Sequence, residues 1–229
     1  MTNFNIQIIS DTVCPWCYVG YRRLSRAIVA HRATHPTDTF NITWKAFYLN
    51  PASPQYPGVN KQEMYSMKFG AERSAAMFKR LSAVGESDGI SFKFGGNTGS
   101  TRDSHRLLWY AGEQEAEANG KKGTGAEIGG IQTRVAEKLF KAYFEDEKNI
   151  TDVRILEEAG VEAGLARGSV KGLLDSEDGG AEVDGEAKMA SRRLVSGVPY
   201  FEVQGKYCVE GADEPETFLE IFEKIKETE

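Results

Sequence analysis

Between residues 3 and 10 apolar and polar positions alternate, with Phe4, Ile6 and Ile8 on one side and Asn5 and Gln7 on the other. That period of two predicts a β-strand ending near Ser10, and Ile9, apolar on the opposite side, predicts burial of both faces. From Cys14 the period lengthens. Val19, Leu24, Ala27 and Ile28 fall on one side of a helix whose other positions include Arg22, Arg23, Arg26 and His31, and Pro36 in THPTD ends it. TFNITWKAFYL, aromatic and β-branched, predicts a second strand. Strand, helix, strand makes a β-α-β unit, so the two strands are expected to be parallel neighbours.

After the Pro-rich stretch NPASPQYPGVN the pattern is helical to about Ser196. Met64, Met67, Ala71 and Phe78 predict one helix, with the methionines in its core face. Leu107, Leu108 and Ala111 predict another, and Ile131, Val135, Leu139 and Tyr143 a third. NITDVRILEEAGVEAGL predicts a fourth, N-capped by Thr151. Two shorter helices are expected over 168–175 and 179–195. ANGKKGTGAEIGG reads as an exposed Gly/Lys loop, and its GKKGTG lacks the order and the preceding strand of a phosphate loop. The strand signal returns in VPYFEV and KYCVEG, a hairpin around Gln204-Gly205. If Val203 and Lys206 flank the turn, Cys208 stands opposite Phe201. Phe218, Ile221, Phe222 and Ile225 predict a closing amphipathic helix. The whole reads as β-α-β, a helical insertion, then β-β-α. Residues 1–55 and 196–229 build one mixed sheet with its helices, and 56–195 form the insertion.

Composition narrows the function classes. The 229 residues, 40% apolar and 27% charged, suit one large domain or a domain with an insertion. A net charge of −6 argues against generic nucleic-acid binding. No run of about 18 apolar residues is present to span a membrane. MTNFNIQIIS lacks the basic and apolar regions of a secretory signal, so a cytoplasmic location is expected. Three cysteines are too few for a disulfide scaffold, and in a reducing compartment a close pair points to catalysis or metal binding. A zinc site wants about four Cys/His ligands. No second C-x-x-C exists, and His31, His35 and His105 are not arranged as a finger, so no metal is expected. His31 and His35 have the i, i+4 spacing of helical metal ligands, but no third ligand is apparent in the sequence.

The pair itself is Cys14 and Cys17 in SDTVCPWCYVGYRRL. At the start of a helix, Cys14 would meet free backbone N–H groups and the positive end of the macrodipole, which favour thiolate, the nucleophile. Pro15 fits a first helical turn. Cys17, three residues on, lies on the same side, so the two sulfurs can bond without unwinding the helix. Cys14 would attack a disulfide and Cys17 resolve the mixed disulfide. Trp16, at the helix tip, is expected to shape the substrate contact. In SGVPYFEV, Pro199 opens a strand without giving a ladder hydrogen bond, which points to an edge, or to a cis bond that lays the Val198 backbone open to a ligand. His105 reads either as a cleft residue that polarises substrate or tunes Cys14, or as a hydrogen-bonded interface residue. Arg22, Arg23 and Arg26 read first as a solvated face, with steering of anionic substrates or glutathione as the alternative.

Taken together, CPWCYVGYRRL, WKAFYLNP, DSHRLLWYA, LFKAYFEDEKNITD and SGVPYFEVQGKYCVEGA resemble the DsbA-like thioredoxin-fold family, most closely its FrnE-type branch. The resemblance covers essentially the whole chain. It implies an α/β thioredoxin fold interrupted by an all-helical domain, with redox-active Cys14 and Cys17 facing a cis Pro199. It further implies disulfide-exchange activity and homodimers in some relatives. The first reading of the site accordingly takes a thiol- or disulfide-bearing protein or small molecule as substrate, with contacts through Pro15, Trp16, Val198, Pro199 and His105 and no bound cofactor. Related 2-hydroxychromene-2-carboxylate isomerases and kappa-class glutathione transferases share the pattern echoed by Asn97 and His105-Arg106-Leu107, but usually carry serine at the first active position. They supply the alternative: a glutathione-dependent isomerase or transferase, with glutathione as co-substrate or redox partner. A third reading is a non-catalytic, redox-sensing partner protein.

Overall fold

A computed structural model of the chain describes residues 1–118, 126–127, 129–192 and 195–228. Strand β1 (Asn3–Ser10) leads into helix α1 (Pro15–Thr34), and β2 (Thr39–Ala46) returns beside β1 in parallel, with Asn3 opposite Thr39 and Ser10 opposite Ala46. At the other end of the chain β6 (Tyr200–Val203) pairs antiparallel with β1, β7 (Tyr207–Glu210) pairs with β6, and α9 (Pro215–Thr228) closes the fold. The short β5 (Ala126–Glu127) adds an outer strand to β2, so the sheet order is β5-β2-β1-β6-β7. The Gly/Lys loop expected around it lies largely outside the described residues.

Alternation along β2 buries Phe40, Ile42, Trp44 and Ala46. On the α1 and α9 side, Phe4 stacks on Phe40 at 4.7 Å and both meet Phe222 at 5.0 and 5.1 Å. Burying such rings against one another is the main stabilising term of the sheet.

Between the two halves of the sheet run α2 (Lys61–Phe69), α3 (Ala71–Asp88), α4 (Arg102–Ala118), α5 (Ile131–Phe144), α6 (Val153–Glu162), α7 (Arg167–Leu174) and α8 (Gly180–Arg192). The insertion also holds a two-stranded ladder, β3 (Val59–Asn60) with β4 (Asn97–Thr98). It packs directly on the sheet and α1. Tyr18 stacks on Phe140 at 5.1 Å, and the Trp44 indole donates to Thr133 Oγ1 at 3.1 Å.

Four expectations are corrected. The helix marked by Met64 to Phe78 is two helices, split at Gly70, whose φ of +84° breaks the spiral. Met67 is 88% exposed rather than core. Asp152, not Thr151, caps α6, its carboxylate accepting from Arg154 N. The final hairpin turns through three residues, with Gln204 and Gly205 left-handed (φ +55° and +65°), so Cys208 pairs with Glu202 and Phe201 with Val209. The extra turn residue moves Cys208 to the outer face, where it is exposed and accepts a hydrogen bond from Tyr200 Oη at 2.8 Å.

Candidate active site

The strand β1 ends at Ser10, and the next four residues turn into α1. Cys14 is its N-cap and Pro15 opens its first turn. The backbone of Cys14 donates to Asp11 O and accepts from Cys17 N at 3.1 Å, which closes the turn. Across from it the Val198–Pro199 peptide bond is cis. Pro199 stands just before β6, which lies between β1 and β7 and is not an edge. The thiol of Cys14 points at this segment and donates to Val198 O at 3.5 Å.

The two cysteines, both reduced, differ in access. Cys14 is 4% exposed and Cys17 is fully covered. Burial first, then the hydrogen bond with Cys14 and that sulfur's charge, push the Cys17 thiol well above its ordinary value, while Ser10 and the Asp11 backbone pull part of the way back. Cys17 is therefore held protonated behind Cys14. Trp16 is half-buried, packed on the core, and lies 5.5 Å beneath the Arg80 guanidinium of α3.

Around this pair stand groups that the sequence reading did not single out. Asp11 is 1% exposed; its Oδ2 accepts from Leu49 N at 2.8 Å and its Oδ1 lies 3.5 Å from His105 Nε2. Thr12 and Ser104 share a hydrogen bond of 2.7 Å. The first turn of α4 thus pins the loop that carries Cys14. Gly20 lets α1 approach the cis-proline segment: a Cβ there would stand 3.0 Å from both the Pro199 and Phe201 rings. A glycine inside a helix costs about 1 kcal/mol against alanine, which was the available signal for a close approach. Tyr65 of α2 senses Cys14, whose charge adds to burial in raising its phenol to about 12.

The structure places His105 in the interior, 2% exposed, with Nε2 bonded to Phe47 O at 3.1 Å. A ring so enclosed offers no surface to a substrate. Its neighbour Arg106, also 2% exposed, donates to the carbonyls of Leu173, Ser176 and Asp178 and to Asp103, and so ties α4 to the end of α7. Asn97 donates to Pro57 O. Arg23 and Arg26 both pair with the buried Asp88 at the end of α3; Arg23 is largely covered there, while Arg26 stays exposed, as a solvated face would have it. A cavity of about 340 Å³ opens among Tyr48, Ser100, Arg102, Asp184 and Lys188, on the side of the insertion.

A family model for the DsbA-like thioredoxin domain matches residues 5–223. The chain belongs to that family. It is similar to the probable DsbA oxidoreductase SCO1869 of Streptomyces coelicolor, with 27% identity and a TM-score of 0.78 over 95% of this chain and 88% of that one. The uncharacterised YwbO of Bacillus subtilis is 28% identical over 176 residues, 75% of this chain and 72% of its own length. The cytosolic disulfide reductase DsbM of Pseudomonas aeruginosa, in a structure with GSH, shares the fold at 14% identity and a TM-score of 0.57, over 97% of this chain and 99% of that one. Among the described residues no helix is long and apolar enough to cross a membrane.

Proposed function

We propose that this DsbA-like chain is a thiol–disulfide oxidoreductase acting through Cys14 and Cys17. The observation that carries the reading is the asymmetry of the pair. Cys14 caps a helix and faces the Val198 carbonyl at 3.5 Å, while Cys17 is sealed behind it and held as thiol.

In the reducing direction the Cys14 thiolate attacks one sulfur of a substrate disulfide. The substrate S–S bond breaks, a mixed disulfide forms, and the other sulfur leaves as thiolate and takes a proton. The N-terminal end of α1 is the place where negative charge on Cys14 is best supported. Cys17 then gives up its proton and attacks Cys14 Sγ. That step releases the second substrate thiol and leaves a Cys14–Cys17 disulfide, so two electrons have passed from the pair to the substrate. Run backwards, the same steps oxidise a dithiol. The Val198 backbone beside cis Pro199 aligns the substrate strand, with Pro15 and Trp16 as the helix-tip contact. His105 acts through Asp11 and the loop, as a positioning residue. The substrate is a thiol- or disulfide-bearing protein or small molecule. The reaction needs no bound cofactor, and glutathione serves as redox partner in the cytoplasm, as the neighbour with GSH suggests.

A glutathione-dependent isomerase or transferase is the competing reading, and in it Cys17 would be dispensable. The 340 Å³ cavity offers cations for a tripeptide, yet Arg102 there is already paired with Asp184 and Glu177. The deciding experiment is Cys17→Ser in a disulfide-exchange assay. The oxidoreductase reading expects turnover to collapse and a Cys14–substrate mixed disulfide to accumulate. Undiminished turnover would move the assignment to the competing reading.

A further inference from the structure

The C-terminal end of α1 carries a second constellation, remote from the thiols. His31 follows Cys14 by 17 residues, about 25 Å along a helix axis. His31 is 1% exposed. Its Nε2 lies 3.0 Å from Asp38 Oδ2. A carboxylate can only accept, so Nε2 carries the hydrogen, and the tautomer with a free lone pair has it on Nδ1, on the other side of the ring. That Nδ1 is buried and has no hydrogen-bond partner among the described residues. It faces Glu223 Oε1 of α9 at 3.6 Å. His35, the C-cap of α1, stacks on His31 with ring centroids 4.5 Å apart, and its Nδ1 lies 3.9 Å from the same oxygen. One ligand atom from each of His31, His35 and Glu223 lies within 4.8 Å of the others.

We propose that His31, His35 and Glu223 form a binding site for a divalent transition-metal ion of the zinc class. Two imidazoles and one carboxylate are a donor set suited to such an ion, with the fourth position left to water.

The buried ligand is already oriented. The rings of Phe4, Phe40 and Phe222 meet His31 edge-on at 5.3, 5.6 and 5.4 Å and fix its plane. Asp38 supplies the carboxylate behind the ligand that sets its tautomer. Asp38 is itself held in place, its Oδ1 accepting from Thr2 N at 2.8 Å and its Oδ2 from Lys226 Nζ at 2.6 Å. The other two ligands are adjustable: the side chains of His35 and Glu223 are 30% and 55% exposed. Tetrahedral donors around zinc stand about 3.3 Å apart. To reach that arrangement the exposed His35 ring, now stacked within 21° of His31 and bonded at Nδ1 to Thr34 Oγ1, must turn out of the stack, and Glu223 must swing toward it. The nearby cation is Lys226, whose Nζ sits 2.6 Å from Asp38 Oδ2, on the far side of the His31 ring from Nδ1. A metal here would join the end of α1 to α9, about 190 residues on, and thereby close the two ends of the sheet domain.

The test must keep the thiols out, because they bind zinc themselves. Full-length Cys14→Ser/Cys17→Ser/Cys208→Ser protein is titrated with Zn²⁺ by calorimetry and with Co²⁺ by visible absorption. The site predicts one equivalent bound, a Co²⁺ spectrum without thiolate charge transfer, a rise in Tm with metal, and a shift of the His31 Nδ1 resonance by NMR. His31→Ala empties a buried position and can unfold the chain, so the tests are His35→Ala and Glu223→Gln on the surface. Each should weaken the metal at least tenfold while circular dichroism stays unchanged. Absence of stoichiometric binding, or binding indifferent to both substitutions, overturns the proposal. So does an His31 imidazolium paired with Glu223 that metal does not displace.

Discussion

At the residue scale, burial sets the two thiols apart. Because the folded Cys17 thiol is held above its ordinary value, it stays protonated at a pH where an unfolded thiol, near 8.5, is half ionised. Above that pH the unfolded chain gives up this proton and the native one keeps it, so this group's contribution to stability falls as pH rises. Iodoacetamide at pH 8 should therefore label Cys14 and the exposed Cys208 and spare Cys17 until the protein is denatured. Mass mapping of the labelled peptides checks this, and rapid native labelling of Cys17 would contradict it. Gly20 is the second residue on which the site depends. Gly20→Ala sets a methyl 3.0 Å from the Pro199 and Phe201 rings, and overpacking of this kind costs about 1–3 kcal/mol. Urea titration should show that loss, and alkylation of Cys14 should change with it because the Cys14–Val198 contact opens. Unchanged stability and labelling would mean that α1 and the proline segment are not in close register.

At the scale of elements, the insertion holds the loop that carries Cys14 through α4, while its own helices are held by buried cations. Arg106 satisfies three carbonyls at once. Arg106→Lys keeps the charge but loses the planar fork, leaving buried acceptors unpaired at a cost of about 2–4 kcal/mol. Chemical denaturation should show that loss, with the redox equilibrium of the folded protein unchanged. A shifted equilibrium would give Arg106 a part in the site. Much of this layer was legible in sequence. Alternation in residues 3–10 and 39–46, the i+4 run from Ile131 to Tyr143 and the C-P-W-C step at a strand end identified the β-α-β unit, α5 and the thiol pair. What escaped was set by backbone sign and by long-range pairing. Gly70 breaks a helix that apolar periodicity continues through. Two left-handed residues lengthen the last turn and change the partner of Cys208. Glu223, 188 residues after His35, could not be read as its neighbour from spacing. Asp11 looks like an ordinary loop acid until Leu49 and His105 are seen to enclose it.

At the scale of the whole molecule, a five-stranded mixed sheet presents one cysteine to a proline segment delivered from the far end of the chain. Thioredoxin-fold dithiols include oxidants and reductants whose potentials span about 150 mV, and in the proposed reading the stabilisation of a Cys14 thiolate would set where this chain falls. In the proposed reaction Cys14 and Cys17 cycle between dithiol and disulfide. The measurement that tests it most directly is their equilibrium oxidation across glutathione redox buffers, read by acid quench, thiol trapping and mass spectrometry. The expected result is a reversible intramolecular Cys14–Cys17 disulfide with a defined midpoint, whose potential assigns the direction of exchange. A pair that stays reduced throughout, or that accumulates only a glutathione adduct on Cys14, would contradict it.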